Sequence, residues 1–418
     1  MLDDPTDGPS GSLSPLAWHE EPGGRPPAAQ KGTSCDPPAC SYVHGDFPVP
    51  APWPCSAARP WVPRRSPPPA VPATSDRPDP LASARGHYSV VRSGLDNPRQ
   101  LTILGNGSAL VAEAGHGSSN PNNCTGSGQH TTCIGYTGKV TLLTGRSGRA
   151  VPVMSHLLSG AGKDGSFAVG SDGAGKRATG SYFAIETYAP PESFPQGISD
   201  RQAGKLLSRG PRGRLRIVAN VSRFEINHDV DGEGVDSNPY SLLALQHRVL
   251  VADAAGDYIA SVRPGHVNVW TVLPEYGPKV DAVPTVISLG GDGNIYVGEL
   301  HSEQPGKAKV HEYDRHGNML RTWGGFTTVT GVARTRNGTM YVSELFGGNC
   351  SFDQIPSCFP GRVVKIAPNG TRSHIDVPFP AGIDARGSRV IVSAFSVSPA
   401  TGFGGNPAWS GQVWRLRF

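Results

Sequence analysis

A short apolar strand that ends in an acidic residue recurs at regular intervals along this chain. Clear copies are LVAE at Leu110–Glu113, LVAD at Leu250–Asp253, YVGE at Tyr296–Glu299 and YVSE at Tyr341–Glu344, with weaker copies at Phe183–Glu186 and Val390–Ser393. Another apolar strand precedes most copies, and three of these preceding strands begin 45 residues apart, at Pro239, Pro284 and Val329. A period of roughly 40–50 residues with several short strands per unit is typical of a β-propeller. The sequence therefore predicts an all-β fold.

Four strands can be assigned to each repeat, and six repeats fit the chain. The first two strands are joined by dipeptides that favour tight hairpin turns, namely Asn106-Gly107, Asp292-Gly293, Asn337-Gly338 and Gly387-Ser388. The last repeat has only three strands because the chain ends after Val413–Phe418, and Tyr88–Arg92 is available as the fourth. We therefore expect a six-bladed β-propeller in which the terminal strands close one blade and hide two sheet edges.

The second repeat is the least regular of the six. Phe167–Gly170 and Tyr182–Glu186 are predicted as its first two strands, with Arg214–Ala219 and Ser222–Ile226 as its last two. The long polar stretch between them, Thr187–Arg212, is expected to be a mobile loop.

Residues 1–85 differ in composition from the remainder of the chain. They contain half of its 40 prolines and little apolar periodicity, so they cannot bury enough surface to offset the entropy of ordering. We expect a disordered Pro-rich tail, or a misassigned start, over 1–85 and the propeller over 86–418. No charged and apolar signal-peptide pattern is visible at Met1.

Composition argues against two classes of partner. The net charge is +4, but no dense run of Lys and Arg is followed by aromatic residues, so nucleic-acid binding is not predicted. No stretch approaches the roughly 18–20 apolar residues of a membrane-spanning helix. We expect a monomer.

Four cysteines form two close pairs, Cys124 with Cys133 and Cys350 with Cys358. Each pair lies in the loop after an acid-ended strand, which predicts two local disulfides in equivalent loops. Disulfides indicate an oxidising compartment, so an extracellular or periplasmic protein is expected even though no signal peptide is visible. A metal site is the alternative, but the spacings of nine and eight residues differ from the C-x-x-C of zinc sites.

Candidate metal ligands precede two of the predicted inner strands. Asp96-Asn97 and Asp236-Ser237-Asn238 are both followed by proline, and they form an equivalent pair near the mouth of the predicted channel. Carboxylate and amide oxygens at Asp96, Asn97, Asp236 and Asn238 are hard donors that suit Ca²⁺. The alternative is structural, since Asp and Asn cap turns and Pro fixes the start of a strand.

A second acidic stretch, Asn227–Asp236, partly matches a calcium-binding loop. Asp229, Asp231, Glu233 and Gly234 fit the first half of an EF-hand loop, but the twelfth position is Tyr240 rather than Glu. A Ca²⁺-bound loop and a solvated acidic loop both remain open.

The acids that end the second strands are interpreted as structural because they recur from blade to blade. They are Glu113, Glu186, Asp253, Glu299 and Glu344, and each is expected to accept hydrogen bonds from loop amides of a neighbouring blade. Signatures of serine hydrolases, zinc proteases and nucleotide-binding proteins are absent from the sequence. The histidines, including His116, His301 and His311, have no obvious partner by spacing.

Three stretches together resemble a known family. They are Val91–Arg99 with Leu110–Gly115, the loop Asp231–Tyr240, and Val283–Thr285 with Asp292–Leu300. Residues 87–418 are similar in these stretches to the ScyD/ScyE family of secreted propellers. The resemblance implies a six-bladed, NHL-like propeller that is exported, and it implies no particular enzymatic activity.

Two functions follow as hypotheses. The first is a non-catalytic, secreted binding or scaffold module whose loop face holds a small molecule or a protein, with Ca²⁺ as a possible cofactor. The alternative is a metal-dependent lactonase-like or esterase-like hydrolase, whose channel ion would polarise a carbonyl group. Asp96, Asn97, Asp236 and Asn238 are the candidate ligands in that case. The absence of catalytic motifs favours the binding module, and fold analogy alone supports the hydrolase.

Overall fold

The computed structural model describes residues 86–128, 131–145, 148–211, 213–277 and 280–418, together with Leu81 and Ala84. The predicted Pro-rich tail therefore lies outside the described residues, apart from these two positions. The described residues form 25 β-strands and one α-helix, Val221–His228 (α1). This part of the chain has no helix that is long and apolar enough to cross a membrane.

The strands of the first half begin with β1 (Tyr88–Leu95). There follow β2 (Pro98–Ile103), β3 (Ala109–Glu113), β4 (Cys124–Thr125), β5 (Thr132–Thr144) and β6 (Arg149–Ala161). The next four are β7 (Val169–Lys176), β8 (Tyr182–Glu186), β9 (Lys205–Arg209) and β10 (Arg216–Asn220), and α1 comes directly after them.

The strands of the second half form three groups of four and one of three. The first groups are β11 (Pro239–Ala244), β12 (Val249–Asp253), β13 (Tyr258–Arg263), β14 (His266–Val272), β15 (Pro284–Leu289), β16 (Ile295–Glu299), β17 (Ala308–Tyr313) and β18 (Met319–Phe326). The last are β19 (Val329–Arg334), β20 (Met340–Glu344), β21 (Arg362–Ile366), β22 (Arg372–Asp376), β23 (Ile383–Arg386), β24 (Arg389–Ala394) and β25 (Gly411–Leu416).

Neighbouring strands pair antiparallel in simple up-and-down order. β11–β14, β15–β18 and β19–β22 each form a four-stranded sheet, whereas β2–β10 form one nine-stranded sheet. Only two residue pairs, Ser159 with Gly170 and Gly160 with Val169, join β6 to β7 within that larger sheet. The nine-stranded sheet therefore behaves as two parts linked at one point: β2, β3, β5 and β6, with the short β4 paired to β5, and β7–β10.

The terminal strands share a sheet, as the sequence predicts. β25 lies between β1 and β24, and β23 completes the order. Within this sheet Tyr88 pairs with Leu416, and the ring of Tyr88 stacks on the buried Trp414 with centroids 3.7 Å apart. The edge that β25 would otherwise expose is thereby covered by β1.

The first strand of each group lies inside the molecule and contacts the first strands of its neighbours. β2 contacts β7 and β23, β7 contacts β11, β11 contacts β15, β15 contacts β19, and β19 contacts β23. Apolar clusters fill the spaces between neighbouring sheets. Leu101 shares a cluster with Ile391, and Ile185 shares another with Val251. Up-and-down sheets that pack face to face around their first strands form a β-propeller.

The turns between the first two strands have the backbone geometry that their sequences predict. Gly107, Gly293, Gly338 and Gly387 all have positive φ, between 59° and 90°. Glycine adopts this left-handed region without the steric cost of a Cβ atom. These turns mark one end of the propeller, which we call the turn face. The loops that precede the first strands, such as 229–238 and 273–283, mark the opposite end, the loop face.

The second repeat differs from the prediction in three places. Its first strand is β7 rather than Phe167–Gly170, and Lys205–Arg209, which was expected in a mobile loop, forms β9. The predicted fourth strand Ser222–Ile226 lies within helix α1. The reason is local, because the Asn220 side chain accepts a hydrogen bond from the Arg223 amide at 3.0 Å and so caps a helix start.

Both predicted disulfides are confirmed. Cys124 is bonded to Cys133 and Cys350 to Cys358. Each bond closes a short loop after the second strand of its sheet, so both lie at the loop face. Disulfides persist in oxidising environments, and they suggest that this protein works outside the cytoplasm.

Candidate functional site

Helix α1 places the first carboxylate of an acidic cluster at the loop face. The helix ends at His228, and Asp229 follows in the left-handed conformation with φ of 45°. The Asp229 amide donates a hydrogen bond to the Glu225 carbonyl oxygen at 2.8 Å. Because Glu225 and Asp229 are four residues apart, their side chains lie on the same side of this last turn.

Three carboxylates converge in this cluster. Oxygen atoms of Glu225, Asp229 and Asp231 all lie within 4.8 Å of one another. Glu225 is fully buried, Asp231 is half-buried and Asp229 is exposed. The cluster thus has a buried base and an open side, which is the arrangement a cation needs to reach carboxylate ligands from solvent.

Glu225 carries a buried oxygen atom without a donor. Its Oε1 accepts a hydrogen bond from the Val230 amide at 3.0 Å. Its Oε2 is buried and accepts no hydrogen bond from any described residue. Buried polar atoms are almost always satisfied, so an exception of this kind requires an explanation, and a bound ion is one.

Backbone amides fold the loop around the other two carboxylates. The Gly234 amide donates to Asp229 Oδ1 at 3.0 Å, and the Glu233 amide donates to Asp231 Oδ1 at 3.0 Å. These short-range bonds fix the loop without any basic side chain. No described Lys or Arg forms an ion pair with Glu225, Asp229 or Asp231.

Burial and the charges of neighbouring acids raise the pKa values of the carboxyl groups in and near this cluster. Burial, with Asp253, Asp231 and Asp229 nearby, raises the pKa of Glu225 to about 8 although its hydrogen bond from Val230 opposes the shift. Burial raises the pKa of Asp236 to about 7, and the charges of Asp231 and Asp253 add to it. Like charges held close together without a counter-charge favour either protonation or a bound cation.

Two further acids extend this environment beneath the loop. Burial raises the pKa of Asp253 to about 6 and that of Asp257 to about 7. The carboxylate of Asp257 accepts hydrogen bonds from the amides of Ala282 and Val283, both at 2.7 Å. Asp257 therefore fixes the loop that carries Asp281, whose charge also raises the pKa of Asp236.

The donor set fits Ca²⁺ better than a transition metal. All three converging ligands are carboxylate oxygens, and no His or Cys takes part. Ca²⁺ accepts six to eight oxygen ligands in flexible geometry, so water and loop carbonyls can complete its shell. Glu225, Asp229 and Asp231 are the residues that would hold the ion.

Asp96 and Asn97 are engaged with protein groups in the structure. Asp96 contacts Lys139 and His116 at 3.1 and 3.2 Å. Although burial opposes it, the hydrogen bond with His116 and the charge of Lys139 hold the pKa of Asp96 well below its usual range. Asn97 is fully buried, and its amide nitrogen donates to the carbonyl oxygens of Gly115 and Gly165 at 2.7 and 2.9 Å.

Asp236 and Asn238 lie in different surroundings from that first pair. The Asn238 side-chain oxygen accepts a hydrogen bond from the Thr187 hydroxyl at 2.6 Å. The Asn238 backbone amide donates to Asp253 at 2.6 Å. The nearby charge of Asp231 contributes to the raised pKa of Asp236. The structure thus groups Asp236 with the acidic loop, whereas Asp96 is paired with cations.

The calcium-like loop that the sequence indicates does bring Asp229 and Asp231 together. Sequence reasoning missed Glu225, the third member, because it assigned 222–226 to a strand. A signal was present in the i, i+4 spacing of Glu225 and Asp229 after the helix-capping residue Asn220. Glu225, which precedes the loop, supplies the third carboxylate of the cluster, and position twelve of the EF-hand pattern remains Tyr240.

Three of the repeated strand acids accept loop amides, as predicted. The amides of Asp96, Asn238 and Thr327 donate to Glu113, Asp253 and Glu344, respectively, at 2.8, 2.6 and 2.5 Å. In each case the loop joins the preceding sheet to the acid's own sheet. These three acids hold the loops that join neighbouring sheets at the loop face.

Glu186 is the exception among the repeated acids. Both of its carboxylate oxygens are buried and accept no hydrogen bond of ordinary geometry from the described residues. Burial and the nearby Asp172 raise its pKa well above the usual value, while Ser171 partly opposes the shift. Asp172 is itself paired with Arg99 at 3.2 Å. Glu186, Asp172 and Arg99 thus form a buried polar cluster between the first two repeats.

A second network, which sequence reasoning missed, surrounds Glu299. His301 Nδ1 lies 3.0 Å from Glu299 Oε1, and His311 Nε2 lies 3.1 Å from Oε2. The Tyr276 hydroxyl donates to Oε2 at 3.0 Å. The spacing of these histidines along the chain did not reveal this partner, because the pairing of Val297 in β16 with His311 in β17 brings that ring beside Glu299.

The comparisons with known proteins give no family. The chain matches no family model, and no curated protein sequence is significantly similar to it. The ScyD/ScyE resemblance therefore stays a prediction.

Solved structures with a similar arrangement are distant. An inactive virginiamycin B lyase from Staphylococcus aureus, solved with quinupristin, is 10% identical, with a TM-score of 0.43 over 79% of this chain and 98% of that one. A calcium-binding regucalcin from Agrobacterium tumefaciens is 12% identical (TM-score 0.45; 79% and 93% covered). A gluconolactonase from Xanthomonas campestris is 12% identical (TM-score 0.44; 84% and 98% covered). Similarities this weak do not indicate an activity.

Proposed function

We propose that this chain is an exported six-bladed propeller of the ScyD/ScyE type that acts as a calcium-dependent, non-catalytic binding module. Six blades are supported by the unbroken cycle of contacts among β2, β7, β11, β15, β19 and β23. The pairing of β1 with β25 supports closure of one blade by the chain termini. Export is supported by the two disulfides.

The calcium requirement rests on one observation above all. Glu225 Oε2 is buried without a donor, in a carboxylate that lies within 4.8 Å of Asp229 and Asp231. A divalent cation would satisfy this oxygen and neutralise the crowded charges. Extracellular calcium modules bind with Kd of about 10⁻⁴–10⁻³ M, so such a site would be filled outside the cell and empty inside it.

Bound calcium would order the binding surface. The acidic loop leads directly into β11, and Asp257 separately holds the amides of Ala282 and Val283 in the neighbouring loop. An ion on Glu225, Asp229 and Asp231 would fix the acidic loop and so shape this part of the loop face for a small molecule or protein partner.

Calcium titration of the full chain by isothermal calorimetry tests this proposal. We expect one site with Kd near 10⁻⁴–10⁻³ M, which Glu225→Gln weakens at least about tenfold because a charged ligand is lost. Glu192→Gln is the matched control, since Glu192 lies in a different loop-face segment and is not part of the cluster. Binding that is equal in the two variants would refute the site.

A hydrolase with an ion in the channel is the second candidate, and Glu186 is the observation that favours it. A buried carboxyl beside Asp172, without a hydrogen bond of ordinary geometry, resembles a group prepared for proton transfer or cation binding. The predicted ligands Asp96, Asn97, Asp236 and Asn238 would hold the ion in that case only if Asp96, Asn97 and Asn238 exchanged their present protein partners for it. Lactone and ester hydrolysis that requires Ca²⁺ and is lost in Glu186→Gln would support this function over the binding module.

A further inference from the structure

A large cavity opens at the turn face, at the opposite ends of the inner strands from the acidic cluster. Its volume is about 1040 Å³. The last residues of all six inner strands line it, together with turns such as 290–293. This volume is at the upper end of the range for sites that bind small molecules.

Aliphatic side chains reach the cavity near its mouth. Those that keep some exposure there are Leu104, Leu243, Ala244, Leu289 and Ala385, whereas Leu101, Leu242, Ile287 and Val332 on the same strands are buried between the sheets. The Gln100 side chain crosses between inner strands on one side, because its oxygen accepts hydrogen bonds from Ala174 and Leu242, both at 3.2 Å. An apolar body would be sheltered from water by the partly exposed aliphatic side chains.

The charged groups on the lining are predominantly cationic. Lys176, Arg334, Arg336 and Arg386 line the cavity, against two acids, Asp292 and Asp384. Both acids are occupied by neighbouring protein groups. The amides of Ile103 and Ala385 donate to Asp384 at 2.6 and 2.7 Å, and the Tyr296 hydroxyl donates to Asp292 at 2.6 Å.

Two donors on the same lining are left without an acceptor. The Ser288 hydroxyl and the Arg334 Nε are buried and have no hydrogen-bond partner among the described residues. Arg334 Nε lies 3.8 Å from Asp292 Oδ2, which is beyond hydrogen-bond distance. Unsatisfied donors on a lining with four cationic and two acidic side chains point to an acceptor-rich, negatively charged group as the missing partner.

We propose that this cavity binds an organic anion with an apolar body, such as an aliphatic carboxylate or phosphate. The partly exposed aliphatic side chains hold the body, and Arg336 and Arg386 at the mouth hold the anionic head. Guanidinium groups suit both head groups because their planar donors bind two oxygens at once. The site lies on the turn face and uses none of the calcium ligands, so it goes beyond the calcium proposal and can fail independently of it.

Calorimetry with the full chain and three eight-carbon probes tests this site. Octanoate, octyl phosphate and octanol share the apolar body and differ only in the head group. We expect the anion with the preferred head group to bind at least about tenfold more tightly than octanol, since charge-assisted hydrogen bonds add to the apolar contact. The tighter of the two anions identifies the natural head group. Octanol that binds as tightly as both anions, or no binding of any probe, would overturn the proposal.

Variants separate the head-group site from general charge effects. Arg336→Gln with Arg386→Gln should weaken anion binding at least about tenfold while octanol binding is unchanged. Arg415→Gln removes a cation from exposed surface outside the cavity and should leave anion binding unchanged. Ala385→Phe narrows the cavity near its mouth and should weaken binding of all three probes. Equal anion affinity in the double variant and the Arg415→Gln control would refute the assigned residues.

Discussion

Glu225→Gln should make the protein more stable than the natural chain without calcium and less stable than the natural chain with calcium. Burial raises the pKa of Glu225 from 4.5 to about 8 in the folded protein. Folding therefore takes up a proton between about pH 4.5 and pH 8, and the stability present at low pH is lost as pH rises through this window. Gln has no charge to bury, and its carbonyl oxygen can still accept the Val230 hydrogen bond.

The size of the effect follows from the shift in pKa. The difference between 4.5 and about 8 corresponds to at most about 5 kcal/mol once the group is ionised. Loop relaxation and water penetration reduce this, so about 1–3 kcal/mol is expected at pH 8.5. In EDTA at this pH, Glu225→Gln should thus be more stable than the natural chain. The two should converge near pH 5.

Calcium should reverse this order. At a hundred times its Kd, an ion that binds only the folded state stabilises it by about 2.7 kcal/mol. For the roughly 330 residues after Gly86 this corresponds to a rise in Tm of roughly 4 °C. The natural chain should gain this rise in about 10–100 mM CaCl₂, a hundred times the expected Kd, whereas Glu225→Gln should gain little, and scanning calorimetry measures both. If Glu225→Gln were less stable in EDTA at pH 8.5, or gained the full calcium effect, the assignment of Glu225 as a buried ligand would be refuted.

Three further predictions test the fold. Removal of β25 and the residues after it should unfold the chain, because β25 lies between β1 and β24; retention of a cooperative thermal transition would contradict this. Trp414→Ala should lower the free energy of unfolding by about 3–5 kcal/mol, since this fully buried ring is replaced by a cavity, and urea titration measures the change. Replacement of Cys124 and Cys133 by Ser should cost about 2–3 kcal/mol, the value for a loop of nine residues. Reduction with dithiothreitol should then produce a smaller further loss in this variant than in the natural chain.

The repeat and its turns were sufficient to predict most of the fold. Strands with a strong apolar run bounded by Asn-Gly or Asp-Gly, such as β15 with β16, need little information from distant residues. The second repeat was predicted poorly because its boundaries depend on a helix cap at Asn220, which was overlooked, and on burial of Leu206 and Leu207 within a polar stretch. The polar residues around Leu206 and Leu207 hid strand β9, which is stabilised by packing between blades.

The candidate site was predictable only in part. Asp229 and Asp231 were visible as a calcium-like loop, since their spacing is local. Glu225 could be recognised only after the preceding segment was known to be helical, because a strand would place it on a different side of the chain. The contact of His301 and His311 with Glu299 depends on the register of β16 against β17, which a single sequence does not specify.

The small net charge of this protein conceals two faces of opposite character. Acids crowd the loop face around Glu225, while Arg336 and Arg386 mark the cavity at the turn face. Strand β11 joins the two, because it begins after Asp236 and its last residues line the cavity. Its six residues span about 20 Å, more than twice the Debye length of about 8 Å at physiological ionic strength. Charge alone therefore couples the faces weakly. If calcium changed the affinity of the cavity for an anion, the cause would have to be movement of β11 itself, which the loop of Asp229 and Asp231 holds at one end.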